Sequence, residues 1–336
     1  MDYNGLHKGP CFDRDLCMQE VLEYMRPKAS GWILILLYGM IFVIGLVGNF
    51  LVCFAVWRNP SMRTVTNYFI VNLALADFLV ILICLPSTVI EDVAMTWFFG
   101  RIMCKIVKYL QAVSVAVSVF TLSCISLERF YAICYPLSFK STPRRAKVMI
   151  VVTWVLALLM AIPDLICLDT QHNSGLPADF SLLTTCKPTW SHSIQVGVQC
   201  FNLLVMYLLP LGFMFCTYFR IVRCLWSNNI PTESSRDQLH SNGSNSAAEN
   251  QLRGRRNAAK MLIAVVVMFC ICYLPVHLLN ILGYANALDL IGDYITLLAL
   301  MSHWLSYLNS AINPVIYNYM SMPIAPSAQF ACKYIT

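Results

Sequence analysis

Arg129 follows Glu128 at the inner end of one long apolar run, and Asp77 sits alone in the middle of another. A charge at hydrocarbon depth costs about 2.5–3.5 kcal/mol even on insertion scales, so both sites are expected to pair, hold an ion or move. Cys104 lies 25 positions before Arg129 in the same run. In a helix that separation is about 37 Å, close to a full membrane thickness. Cys104 therefore belongs at the outer surface, where thiols oxidise. Cys186, in the loop between the fourth and fifth runs, is the partner that would pin that loop over the bundle mouth; two unpaired thiols are the alternative. Cys11 and Cys17 form a second candidate pair outside. Rotation by about 100° per residue brings Gln111, Ser118 and Arg129 within roughly 20° of one another. That polar stripe must face protein. Ser118, Asn309 and Asn313 offer oxygens with which a sodium ion could be held beside Asp77. The bland reading of Arg129 is an interfacial side chain that snorkels.

The elements that must position these residues are apolar spans. The chain has 336 residues, 58% of them hydrophobic and 12% charged, against about 25% charged in a soluble domain. A span needs roughly 20 mostly apolar residues. Seven candidates fit: Trp32–Trp57, Asn67–Ile90, Ile102–Cys134, Val148–Leu168, Ile194–Cys224, Ala258–Tyr284 and Ile291–Tyr319. The expected fold is an all-α membrane protein, one seven-helix bundle over 32–319. An extracellular segment 1–31 precedes it and a short atypical cytoplasmic tail 320–336 follows. Basic residues cluster in alternate connections: Arg58 and Arg63, then Lys140, Arg144, Arg145 and Lys147, then Arg220 through Lys260. The opposite loops hold Glu91, Asp92, Asp169, Asp179, Asp289 and Asp293. The positive-inside rule then places the N-terminus outside and the C-terminus inside. The net charge of +6 belongs to one membrane face and gives no support to nucleic-acid binding.

The start lacks a basic, apolar leader, and Arg14–Lys28 is expected to form a short amphipathic helix with Leu16, Val21, Leu22 and Met25 towards one side. The long connection 225–257, rich in Ser and Asn, is read as a disordered third intracellular loop. Three spans carry internal prolines, each of which removes a backbone hydrogen bond and permits a kink: Pro210, Pro275 and Pro314. Each has a polar or aromatic companion: Tyr218 two turns beyond Pro210, Tyr273 before Pro275, Asn313 and Tyr317 around Pro314.

These motifs, with Gly48-Asn49, Leu73-Ala-Leu-Ala-Asp77, Glu128-Arg129-Phe130 and Trp154, resemble those of rhodopsin-like (class A) G-protein-coupled receptors over about Trp32 to Tyr319. Thr96-Trp97-Phe-Phe-Gly100, Tyr109-Leu-Gln111-Ala-Val-Ser and Ser302-His303-Trp304 are most similar to orexin and allatotropin neuropeptide receptors. The resemblance implies a plasma-membrane receptor, not an enzyme, that passes peptide binding to a heterotrimeric G protein, with Gq and calcium as the expected route. It implies ligand contacts at Gln111, Thr88, Asp164, Asn280, His303 and Tyr307. Activation switches are implied at Glu128, Arg129, Phe130, Tyr218, Tyr273, Pro275, Asn313, Pro314 and Tyr317. The sodium site beside Asp77 would be allosteric, and no other cofactor or metal is expected. Arrestin and membrane lipid are further expected partners.

Two absences narrow the ligand. An amine receptor would use a carboxylate at Gln111, and an amide cannot pair with an ammonium in that way. A retinal pigment needs a lysine in the seventh span, which has none. Acidic outer loops suit a peptide with a basic residue, and the resemblance adds an amidated C-terminus. Relatives follow the Tyr317 motif with a basic amphipathic helix, and Met322–Thr336 departs from that pattern. The alternative reading is therefore a truncated or spliced isoform that modifies a complete receptor without signalling.

Overall fold

The computed structural model describes residues 14–27, 29–135, 142–172, 183–227, 244–285 and 294–321. A short helix α1 (Arg14–Met25) precedes α2 (Ala29–Arg58), α3 (Val65–Ala94) and α4 (Gly100–Cys134). The fourth crossing is α5 (Pro143–Met160) continued by the single turn and a half of α6 (Ile162–Cys167). A hairpin of β1 (Leu168–His172) and β2 (Thr184–Pro188) follows, pairing Thr170 with Cys186. The fifth crossing is α7 (His192–Asn202), a π-helical turn Leu203–Leu208, and α8 (Leu209–Ser227). The wide turn directly precedes Pro210, whose missing N–H and ring bulk disfavour regular α geometry there. α9 (Ser244–Tyr284) and α10 (Ile295–Ser321) complete the bundle.

Six of these helical segments are long and apolar enough to cross a membrane by length and composition. The seventh, α10, is 27 residues long, about 40 Å, and is diluted by polar residues. Those residues point inward: Ser302, Asn309, Ser310 and Asn313 are all buried. Large apolar side chains elsewhere face out, such as Leu36, Val43, Val47 and Phe50 of α2 and Val151, Val155 and Leu159 of α5. That arrangement is inverted relative to a soluble fold because the bundle's surroundings are hydrocarbon.

α4 is the central strut. It packs on α3, α5, α6, α8, α9 and β1, while α2 closes the ring between α3 and α10. Close approach of α2 depends on two glycines. A Cβ on Gly45 would stand 2.3 Å from Ile81 Cδ1, and one on Gly48 would stand 2.9 Å from Pro314 Cβ. α3 begins at Thr64, whose hydroxyl accepts from the Asn67 N–H, and ends at Met95 in the left-handed region. The reversal sends Thr96 and Trp97 onto the hairpin, where the Trp97 N–H donates to the Thr184 carbonyl at 2.7 Å.

Several expectations change. Glu91 and Asp92 are not loop residues, because α3 continues to Ala94. α3 also carries an internal proline, Pro86, outside the three singled out from sequence. α1 forms as expected, but Val21 is buried while Leu22 is exposed, so these two do not share one face. The connection read as disordered over 225–257 is shorter: Leu225 belongs to α8, and α9 is helical from Ser244. Ala247, Ala248, Glu249, Gln251, Leu252 and Arg253 are strong helix formers. Extending a helix that the membrane already nucleates adds one bond per residue. Cys11 and residues 322–336 lie outside the described residues.

Candidate functional site

Helix α4 presents its polar stripe to three neighbours, and three clusters form along it. At the outer end, the Gln111 amide donates to the Thr88 hydroxyl at 3.0 Å and to the Tyr307 hydroxyl. Thr88 and Tyr307 bond each other at 2.8 Å. One turn outward, the buried Asp92 carboxylate accepts from the Tyr38 hydroxyl at 2.7 Å, and its other oxygen faces His303 Nδ1 at 3.0 Å. The Tyr38 and Tyr307 rings meet edge to face at 6.1 Å, joining the two groups. Lys108 Nζ pairs with Glu91 at 2.9 Å beside them. The cluster thus draws on α2, α3, α4 and α10.

The hairpin lies beside this cluster, held by the Cys104–Cys186 disulfide with Cα atoms 5.7 Å apart. Arg101 adds an ion pair to Asp169 at 3.0 Å. Lys105 Nζ donates to the Leu165 carbonyl at 2.8 Å, fixing α4 to α6. Asp164, on α6, and Asn280, on α9, are half-buried and make no hydrogen bond to the Gln111 group. Sequence reasoning missed Tyr38 and Asp92, because a tyrosine in an apolar run and a carboxylate at a loop edge carry no periodic signal. It also missed His277 and Trp304, whose Nδ1 and Nε1 are buried without a partner, and Tyr207, whose ring lies tilted at 41° against His277 with centroids 4.6 Å apart.

In the middle of the bundle, Asn313 Nδ2 donates to Asp77 Oδ2 at 2.9 Å. Ser118 and Asn309 are buried with them. The remaining oxygens Asp77 Oδ1, Asn309 Oδ1 and Asn313 Oδ1 have no hydrogen-bond partner. Buried acceptors around one carboxylate are hard oxygen donors, and the set suits a small cation.

At the inner end, Arg129 Nε pairs with Glu128 Oε2 at 3.2 Å, and the Thr66 hydroxyl reaches the same oxygen at 3.4 Å. Tyr218, Tyr273 and Tyr317 belong to one buried cluster, and the Tyr317 hydroxyl has no partner. Phe130 packs against the same cluster and also meets Tyr131 and Tyr135, at 5.4 and 5.6 Å between ring centres. Pro275 lies within α9 and Pro314 within α10. Trp154 donates to Asn72 Oδ1 at 2.8 Å, and Asn72 in turn donates to the Thr121 hydroxyl at 2.8 Å, fastening α5 to α3 and α4.

A bundle of seven membrane-crossing helices, with a polar cluster at one end and a charge pair at the other, is the build of a transmembrane signal receptor. The family described as 7 transmembrane receptor (rhodopsin family) matches residues 48–317. The chain belongs to that family, the class A G-protein-coupled receptors, and is a multi-pass plasma-membrane protein. It is similar to a QRFP-like peptide receptor of Branchiostoma floridae, 33% identical over 282 residues. That similarity covers 83% of this chain and 72% of the relative.

Proposed function

We propose that this receptor is activated by a neuropeptide and catalyses nucleotide exchange on a heterotrimeric G protein. The observation that carries the reading is the outer cluster, in which Gln111, Thr88 and Tyr307 present amide and hydroxyl groups where an amine receptor would present a carboxylate. Likeness to a QRFP-like peptide receptor points the same way. The motifs Tyr109-Leu-Gln111 and Ser302-His303-Trp304 favour a ligand of orexin or allatotropin type, amidated at its C-terminus. His303, Asp164 and Asn280 complete the ligand contacts.

The mechanism is a population shift. Ligand stabilises the form open to the cytoplasm by its difference in affinity for the two states. In that form α9 swings about Pro275, the Glu128–Arg129 pair separates, and Arg129 receives the Gα C-terminal helix. Tyr218, Tyr317 and the segment Asn313-Pro314 rearrange to line the opening, Tyr273 senses the ligand, and Phe130 supports the α4 end. Asp77, Ser118, Asn309 and Asn313 would hold a sodium ion, whose charge would stabilise the closed form. Gq is the proposed coupling, with arrestin binding the same opening.

The test is calcium release in cells expressing the chain, challenged with orexin-like, allatotropin-like and QRFP-like amidated peptides, with surface protein quantified alongside. A response to one peptide that disappears in Arg129→Ala supports the reading. Full surface expression with silence to all three peptides overturns it.

A further inference from the structure

Asp92 has no part in the reading above, yet it is the most constrained carboxylate of the outer cluster. It is only 4% exposed. Its Oδ2 is taken by the Tyr38 hydroxyl and its Oδ1 by His303 Nδ1. An ionised carboxylate only accepts, so the nitrogen facing it must carry a hydrogen. A neutral imidazole has one N–H, which leaves Nε2 with a bare lone pair. The His303 side chain is 41% exposed, so the ring is not sealed off from a ligand.

We propose that Asp92 is a positioning residue that fixes the tautomer of His303, so that the site offers an acceptor at Nε2 and selects a ligand ending in a carboxamide over one ending in a carboxylate. The proposal rests on the peptide reading above. A carboxamide brings N–H groups to that lone pair, whereas a carboxylate brings only lone pairs.

The surrounding charges support the assignment. From α3 come Asp92 and Glu91, and Lys108 of α4 already pairs with Glu91 at 2.9 Å. α2 contributes Tyr38, whose hydroxyl is committed to Asp92, and α10 contributes Tyr307, committed to Thr88 and Gln111. Asp92 is thus the anion that faces the ring. It holds the proton on Nδ1 and leaves Nε2 as the acceptor.

The experiment uses the full chain in lipid nanodiscs with nitrogen-15 histidine, and His303→Gln assigns the signal. The expected spectrum at pH 7.4 shows His303 neutral and protonated on Nδ1, and Asp92→Asn loses that single tautomer. An Nε2–H signal at pH 7.4, from the other tautomer or from a doubly protonated ring, overturns the proposal. The second arm compares a QRFP-like peptide made with a terminal carboxamide and with a free carboxylate. A preference for the carboxamide of at least about tenfold at pH 7.4 is expected, the size of one hydrogen bond made rather than left unmet. An unchanged preference in Asp92→Asn also overturns the proposal. If neither peptide binds, the peptide reading fails, and the tautomer still decides the role of Asp92.

Discussion

The Asn49 side chain donates to the Ser310 carbonyl at 3.0 Å, and that carbonyl is the one left without its helical partner by Pro314 four residues later. The same amide donates to the Gly45 carbonyl at 2.9 Å, so α2 repairs a defect in α10. An unmet buried carbonyl costs about 1–3 kcal/mol. Asn49→Ala is therefore expected to lower thermal stability in detergent by an amount in the lower part of that range. A melting temperature equal to wild type would mean the break in α10 is satisfied by other means.

The two glycines of α2 predict different tolerances. A Cβ on Gly48 would meet the stiff ring of Pro314, whereas one on Gly45 would meet the flexible end of Ile81 and, at 3.2 Å, the Ala311 Cβ. Gly48→Ala should displace α2 from α10 and destabilise by about 1–3 kcal/mol, in the manner of an overpacked core. Gly39 has nothing within 4 Å. Gly39→Ala should be neutral or more stable by up to about 1 kcal/mol through helix propensity. Melting curves of the two variants give the order, and equal losses at positions 39 and 48 would refute it.

Removing the hairpin's anchor should act as an all-or-none change. Cys104→Ser, Cys186→Ser and the double variant are each expected to lose about 2–4 kcal/mol and the same large share of ligand affinity. Saturation binding on surface-expressed protein measures both site number and affinity. Additive losses in the double variant would show that the two sulfurs act separately.

Under the sodium reading, exchanging potassium for sodium at constant ionic strength should raise the melting temperature of the wild type. The gain is about 1.4 kcal/mol when sodium stands at ten times its Kd. Asp77→Asn should abolish that response while leaving the effect of total ionic strength unchanged. A sodium effect of the same size in the variant would exclude the Asp77 cluster as its source.

Much of the molecule is written locally. The runs around Asn49, Asp77, Arg129 and Pro314 are legible because apolar length and 3.6-residue periodicity follow from single helices in hydrocarbon. The polar stripe Gln111–Ser118–Arg129 follows from rotation along one helix, and the structure does turn it inward. Reach along α4 placed Cys104 at the surface where its bridge to Cys186 forms. The same local arithmetic failed at helix ends. α9 runs back to Ser244 through residues that look like a solvated linker, and α3 continues past Ile90 to absorb Glu91 and Asp92.

By itself, then, the sequence determined that seven helices cross a membrane, which faces of them are polar, and where charge and proline interrupt them. Each of those properties belongs to one segment and its solvent. Only the tertiary structure decided which polar groups meet: Asp92 with Tyr38 and His303, Gln111 with Thr88 and Tyr307, Asn49 with the carbonyl freed by Pro314. Those partners lie up to 261 positions apart. Their meeting is set by how closely glycines let helices approach and by the cost of leaving a buried polar atom unpaired, neither of which any single helix contains.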